Sequence, residues 1–428
     1  MKFSIQFLLI GLLIALVPSR AQDRVTTLAG RALVSGLADG DRRNALFSDP
    51  ASIAADHEGN VYVADSANHV IRKITTIGMV STFAGTQGDQ GFQDGPSPIF
   101  NFPCGLAISP NGDLFVADTG NHIIRKITAS GVASTVAGAA GQSGALDGAA
   151  SLARFDSPLG IVVATNGTIY VADTGNHTIR AISSAGGVTT LAGSAGDWGT
   201  SDGLGAVARF NGPLGLALDS NGNLFVSDSN NHTIRKIAPD HTVTTWAGAP
   251  LIDGFVNGDR AAARFSKPAE LRFDSQDNLY VADSFNHAIR KISAEGKVTT
   301  VTGFSGQSGA ADGINGQPQF YNPYSLAFLP DGSLAVADAY NQTIRQAIPP
   351  IELKMNNILD GSIFSWNSII GNLYQMQLAA PDFRSWIDVG SPTIANTTVS
   401  ASNEAPPTNG VRFYRVIEVL GVSVPPFP

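Results

Sequence analysis

Polar residues of the kinds that hold metals, move protons or bind ions recur at fixed intervals along this 428-residue chain. Asp65, Asn68 and Arg72 form one set. The same three types return as Asp118, Asn121 and Arg125, as Asp173, Asn176 and Arg180, and as Asp228, Asn231 and Arg235. They return twice more, as Asp283, Asn286 and Arg290 and as Asp338, Asn341 and Arg345. His69, His122, His177, His232 and His287 share a further position. Such sets can serve as a ring of ligands. They can also serve the fold, with Asp and Asn bonding to turn backbone and Arg tying a strand to its neighbour. Sixfold identity favours the structural role, and function is better sought where the pattern breaks. Where five copies carry Ser52, Gly105, Gly160, Gly215 and Ser325, one carries Glu270. Two residues on, Ala54, Ala107, Val162, Ala217 and Ala327 contrast with Arg272. Glu270 and Arg272 therefore share one strand face, either as a mutually neutralising pair or as a polar anchor for a ligand. Aromatics gather in the same copies. Phe285 and Tyr340 stand where others have Ala67, Gly120, Gly175 and Asn230, Tyr321 and Tyr324 flank the sixth inner run, and Trp198 precedes the fourth. Exposed aromatics beside a few polar groups build binding surfaces, so these seven residues form the candidate ligand site.

The elements that must position them follow from the repeat itself. The aspartates at 65, 118, 173, 228, 283 and 338 fall almost 55 residues apart, a period that decides the architecture. Each period opens after a proline with a short apolar run such as GLAIS (105–109), then an Asn-Gly type turn. A second run like LFVAD, a D-x-x-N-H turn, a third run like IRKI and a fourth like VTTLAG complete it. Four short strands repeated radially describe a blade of a β-propeller. A lone VTTLAG at 25–30 precedes the first blade, and the sixth copy ends after its third run. The two halves complete one blade, so the N-terminal strand is expected to close the ring and remove an exposed edge.

The ring also speaks to the histidines. Their turn lies beyond the inner strand, roughly 13 Å or more from the axis at ~4.8 Å per strand. Nitrogens on one zinc must come within ~2 Å of it, so the repeated histidines are not expected to form a metal cluster. The Asp-Gly loops, such as Asp39-Gly40 and Asp147-Gly148, lack the alternating acids of a calcium loop. They are expected as turns on the rim that carries the D-x-x-N-H turns. Cys104 aligns with Ala51, Leu159 and Leu214 and reads as core.

Taken whole, the repeat, with DG-x-ARF, P-x-G-x-A, N-L-Y-V-A-D-x-x-N-H-x-I-R-K-I and V-T-T-x-A-G in order, resembles the NHL-repeat family in its longer secreted form. The resemblance covers about 23–348 and implies a six-bladed β-propeller. It does not fix function. NHL-like propellers include RNA-binding modules, extracellular interaction domains, and lactonase-like or amidating-lyase-like enzymes that use a divalent cation in the central channel. An enzyme of that kind needs several non-repeated ligands near the axis, and Glu270 is the one obvious candidate.

The flanks complete the organisation. Lys2, the apolar run from Ile5 to Val17 and the small residues before Ala21 make 1–21 a secretory signal peptide. After its cleavage no membrane span is expected, and the protein is placed outside the cell, in the periplasm or on the cell surface. The fold class is all-β throughout. Residues 349–428 carry alternating runs, such as LYQMQLAA (373–380), that suit a small fibronectin-type-III-like β-sandwich. That module resembles C-terminal modules of secreted bacterial proteins. A propeller with 21 basic against 29 acidic residues disfavours nucleic acid. No G-x-S-x-G, H-E-x-x-H or P-loop pattern occurs. The leading expectation is a non-catalytic exported propeller, without cofactor, that offers one rim to a protein, peptide or glycan. The alternative is the metal-dependent hydrolase or lyase.

Overall fold

The computed structural model describes residues 24–313 and 317–348, together with six strands between residues 353 and 418. The expected signal segment lies outside the described residues. In the first period Pro50–Ala55 is the innermost strand, followed outward by Val61–Asp65, Val70–Ile74 and Met79–Ala84, all antiparallel. Every inner strand starts on a proline, at Pro50, Pro103, Pro158, Pro213, Pro268 and Pro323. Proline has no N–H to offer a ladder, and the first residue of a strand is where that costs least. The second and third strands are joined by one 3-10 turn, ended by His69 at φ 58° and by its equivalents.

Ring closure is as the sequence implies. Arg24–Gly30 runs antiparallel to Thr343–Ile348, with Arg24 opposite Ile348 and Gly30 opposite Thr343. The N-terminal strand is thus the outer strand of the sixth blade, and the fold is a six-bladed all-β propeller.

The apolar side chains are buried between blades rather than within them. One core joins Ala29, Ala327, Ala337 and Ile344 of the last blade to Phe47, Ile53, Val63 and Val80 of the first. Phe47, Phe100, Phe155, Phe210 and Phe265, from the segments entering blades one to five, are all fully buried. Each contributes about 1.5–3 kcal/mol of burial that no blade could realise alone.

The Asp-Gly loops differ from expectation. They do not stand on a rim. Each folds down the flank of the blade it is about to enter and pairs with that blade's outer strand, as Gly40 and Asp41 do with Val80 and Met79. Four blades thereby become five-stranded. The outer strand's unpaired N–H and C=O groups draw the loop there, because an uncovered edge invites foreign strands.

Residues Asp23–Pro349 form one compact unit, and the C-terminal strands belong to another. There, Leu353–Ile358, Gly361–Asn367 and Val399–Glu404 make one antiparallel sheet, and Leu373–Ala379 lies between Trp386–Ile394 and Tyr414–Glu418 in a second. Leu353–Ile358 is a strand that no alternating run in the sequence marks.

Candidate functional site

The repeated Asp, Asn and Arg are consumed by the fold. Asp65 ends the second strand fully buried. Its Oδ1 accepts the Ser48 N–H at 2.7 Å, and its Oδ2 accepts Asn68 Nδ2 and Arg72 Nη1, each at 2.9 Å. Arg72 also donates to the Leu46 and Ala38 carbonyls and, through Nη2, to Asp39 Oδ1 at 2.6 Å. Its guanidinium lies 5.3 Å from the centre of the Phe47 ring. Asp39, the acid of the Asp-Gly loop, also accepts the N–H of Thr82 on the outer strand. One arginine thus ties the third strand, the second strand and the incoming loop of a single blade. The arrangement recurs in the other five blades, with Asp118 and Arg125, Asp173 and Arg180, Asp228 and Arg235, Asp283 and Arg290, and Asp338 and Arg345 at 2.7–2.9 Å. Asn121, Asn176, Asn231, Asn286 and Asn341 bind the same aspartates and a loop carbonyl, as Asn68 does. Burial raises the six aspartates to about 6, opposed by these hydrogen bonds and by the arginine charge. In blade five Asn257 replaces the loop acid, and burial lowers Arg290 there. The 33-residue step from Asp39 to Arg72, shared by Asp147 and Arg180 and by Asp202 and Arg235 and shortened between Asp94 and Arg125, is the sequence signal for this contact.

The histidines join blades. His69 Nδ1 accepts the Phe102 N–H at 3.1 Å, and His122, His177, His232 and His287 accept from Ser157, Gly212, Lys267 and Asn322. Each donor lies at the entry to the next blade. In blade six Gln342 takes the position, and its Oε1 accepts the Asp49 N–H at 2.7 Å, across the ring closure. Desolvation lowers His69, His177, His232 and His287, in keeping with neutral rings that accept at Nδ1. Among the described residues no group of three or more His, Cys, Asp or Glu could hold a metal ion.

The residues that break the symmetry fall into two places. Glu270 and Arg272 are together: Arg272 Nη1 donates to Glu270 Oε1 at 2.5 Å and to the Leu271 carbonyl at 2.9 Å. Glu270 is buried, which pushes its carboxyl up, with Arg272 opposing. At its level the inner strands nearly touch. A Cβ on Gly105 or Gly160 would meet the next strand's Leu159 or Leu214 carbonyl oxygen far inside contact distance. Beyond that waist the channel widens into a cavity of about 1080 Å³ whose wall includes Arg272, Ala54, Ala107, Val162, Ala217 and Ala327. The cavity opens at the ends of the inner strands where the Asn-Gly type turns lie, lined there by Asn221, Gly222 and Asp277.

The aromatics sit at the opposite end. Tyr321 precedes the sixth inner strand, and its ring meets Tyr340 edge-on at 5.1 Å and His287 at 5.7 Å. Phe285, half exposed, lies under Lys267 Nζ at 5.0 Å. Trp198 is 61% exposed, next to Gly199, whose carbonyl binds Asn231 in blade four. Tyr324 is the second residue of the sixth inner strand; burial raises its phenol, and Cys104, Asp49 and Glu270 act on it electrostatically. Cys104 is half-buried rather than core. It occupies the equivalent position in blade two, at the end of the channel where these side chains converge, with Sγ 3.9 Å from Ser66 Oγ. The rim aromatics and Arg272 therefore belong to different faces of the ring. Sequence reasoning missed the cavity mouth, where Ser220 donates to Asp277 across two blades, a contact no motif announces.

Comparison with known proteins agrees with this architecture. The NHL repeat matches residues 47–74, 100–127, 155–182 and 210–237, in the first four blades. The chain is thus a six-bladed β-propeller that carries NHL repeats in its first four blades. It is 32% identical over 277 residues to Protein SUPPRESSOR OF QUENCHING 1, chloroplastic, of Arabidopsis thaliana, covering 60% of this chain and 26% of that protein. It is 29% identical over 348 residues to human NHL repeat-containing protein 2, covering 72% of this chain and 47% of that one. The chain therefore spans between a quarter and a half of these relatives' lengths. Among solved structures, an auxiliary nutrient binding protein from Bacteroides ovatus superposes with a TM-score of 0.58 at 19% identity, covering 77% of each chain. At that identity the likeness is one of fold alone.

Proposed function

We propose that this chain is an exported, non-catalytic NHL-repeat propeller that binds a protein, peptide or glycan on the rim formed by blades five and six. The C-terminal strands would form a fibronectin-type-III-like sandwich that spaces or attaches it. The reading rests on one observation. The repeated polar groups that face this rim are spent on the fold, whereas Phe285, Tyr321 and Tyr340 stand 53%, 37% and 48% exposed. Rings presented at a rim supply contact area at little entropic cost, which suits recognition of an extended partner. Acidic composition and the expected export argue against nucleic acid. The test is binding of the purified chain to peptide and glycan arrays, repeated with F285A/Y340A. Partners lost in the variant support the reading, and partners retained overturn the site. Elemental analysis of protein purified without chelator tests the rest: one tightly held calcium or zinc ion per chain would replace this reading with the metal-dependent hydrolase or lyase.

A further inference from the structure

The central channel holds a second, independent candidate site at the face away from the aromatic rim. Its volume, about 1080 Å³, lies at the upper end of the range of small-molecule pockets. Its wall is largely apolar, from Ala54, Ala107, Ile108, Val162 and Phe328. Into this wall the fold introduces one guanidinium, at a position where the five other blades carry alanine or valine. Arg272 is held from behind. Nη1 is committed to Glu270 and to the Leu271 carbonyl, and the side chain remains 21% exposed. Nε and Nη2 have no hydrogen-bond partner among the described residues, so two donors in a fixed planar fork are left toward the cavity. The acids at the mouth are engaged elsewhere: Asp219 accepts from Asn221 and Asn223, Asp274 from Gln276 and Asn278, and Asp277 from Ser220.

We infer that the channel binds a small organic carboxylate, its acid group on the Arg272 fork and its apolar body along the alanine, valine and isoleucine wall. A planar fork matches a carboxylate in a two-bond geometry that a neutral group cannot use. Glu270 is a positioning residue here: it fixes the guanidinium and cannot reach the cavity past it.

The test uses the whole chain and two probes of one shape, 4-phenylbutyrate and 4-phenylbutanol, titrated calorimetrically. The acid is expected to bind at least tenfold more tightly than the alcohol. Removing Arg272 alone would strand a buried Glu270, so the comparison is E270Q/R272M, which removes both charges. That variant should lose the tenfold preference while binding the alcohol as before. A second variant, A107F, narrows the cavity from the opposite wall with Arg272 intact and should weaken both probes. Equal affinity for the two probes in the unaltered protein, or an acid preference that survives E270Q/R272M, overturns the assignment. F285A/Y340A should leave both probes unaffected, which separates failure of this site from failure of the rim.

Discussion

The second-to-third-strand turns of blades two and six occupy equivalent places and teach opposite lessons. In blade two the turn carries Gly120, Asn121 and His122, and its side chains are absorbed: Asn121 by Asp118 and Gly91, His122 by Ser157. In blade six the same turn carries Tyr340, Asn341 and Gln342. Asn341 and Gln342 do the old work, on Asp338 and Asp49, while Tyr340 projects half exposed against Tyr321. A side chain repeated around the ring is buried and bonded within it, even though each repeated arginine keeps a buried Nε without a partner. The substituted position is the one that presents its side chain to solvent.

The sharpest way to break that contrast is to attack the ring. Deleting residues 24–30 leaves Thr343–Ile348 as an open edge and should lower the melting temperature by about 10 °C or more, with aggregation. An unchanged melting curve would disprove closure. Next in size is R180M, which leaves Asp173 buried without its cation. It should cost about 3–5 kcal/mol in denaturant unfolding, and D173N/R180M should recover much of that loss. A single blade's staple that proves dispensable would show that the repetition is redundant rather than cooperative.

A subtler effect is predicted for acid. Because desolvation lowers His69, His177, His232 and His287 below their ordinary value, the fold favours their neutral form. Their contribution is fully present above about pH 6.5 and is lost as pH falls below it. The buried aspartates, raised to about 6, act in the opposite sense, taking up protons on folding between their unfolded value of 3.8 and about pH 6. H69Q/H177Q/H232Q/H287Q copies what Gln342 already does with an acceptor that does not titrate. It should lose less stability than the unaltered chain between pH 7 and 5.5, measured by melting temperature. The smallest effect belongs to the substituted positions: F285A/Y340A should change unfolding free energy by no more than about 0.5 kcal/mol. A larger loss would mean that the rim aromatics are packing residues after all.

How much of this was legible depends on whether a contact leaves a periodic trace. The period itself, the four runs and the split sixth blade announce the ring, because each blade needs the same residues for the same reasons. The Asp-Gly loops were misplaced because turn chemistry reveals a bend but not the direction in which the chain leaves it; an open strand edge decided that. Glu270 and Arg272 were recognisable as neighbours from their spacing of two. That they point away from Tyr321 and Tyr340 depends on which end of the inner strand each lies at. Phe285 and Arg272 share blade five, and membership of a blade does not imply membership of a face. The bond from Gln342 to Asp49 spans 293 residues and was legible only once the ring was drawn.

The pairing of Arg24 with Ile348 has a mechanical consequence. The first and last residues of the propeller sit side by side on adjacent antiparallel strands. A pull applied between the two would load one hydrogen-bonded pair after another, as in peeling tape, instead of shearing all of them at once. The ring should therefore resist heat far better than tension, and a modest tug at its two ends would open the sixth blade first.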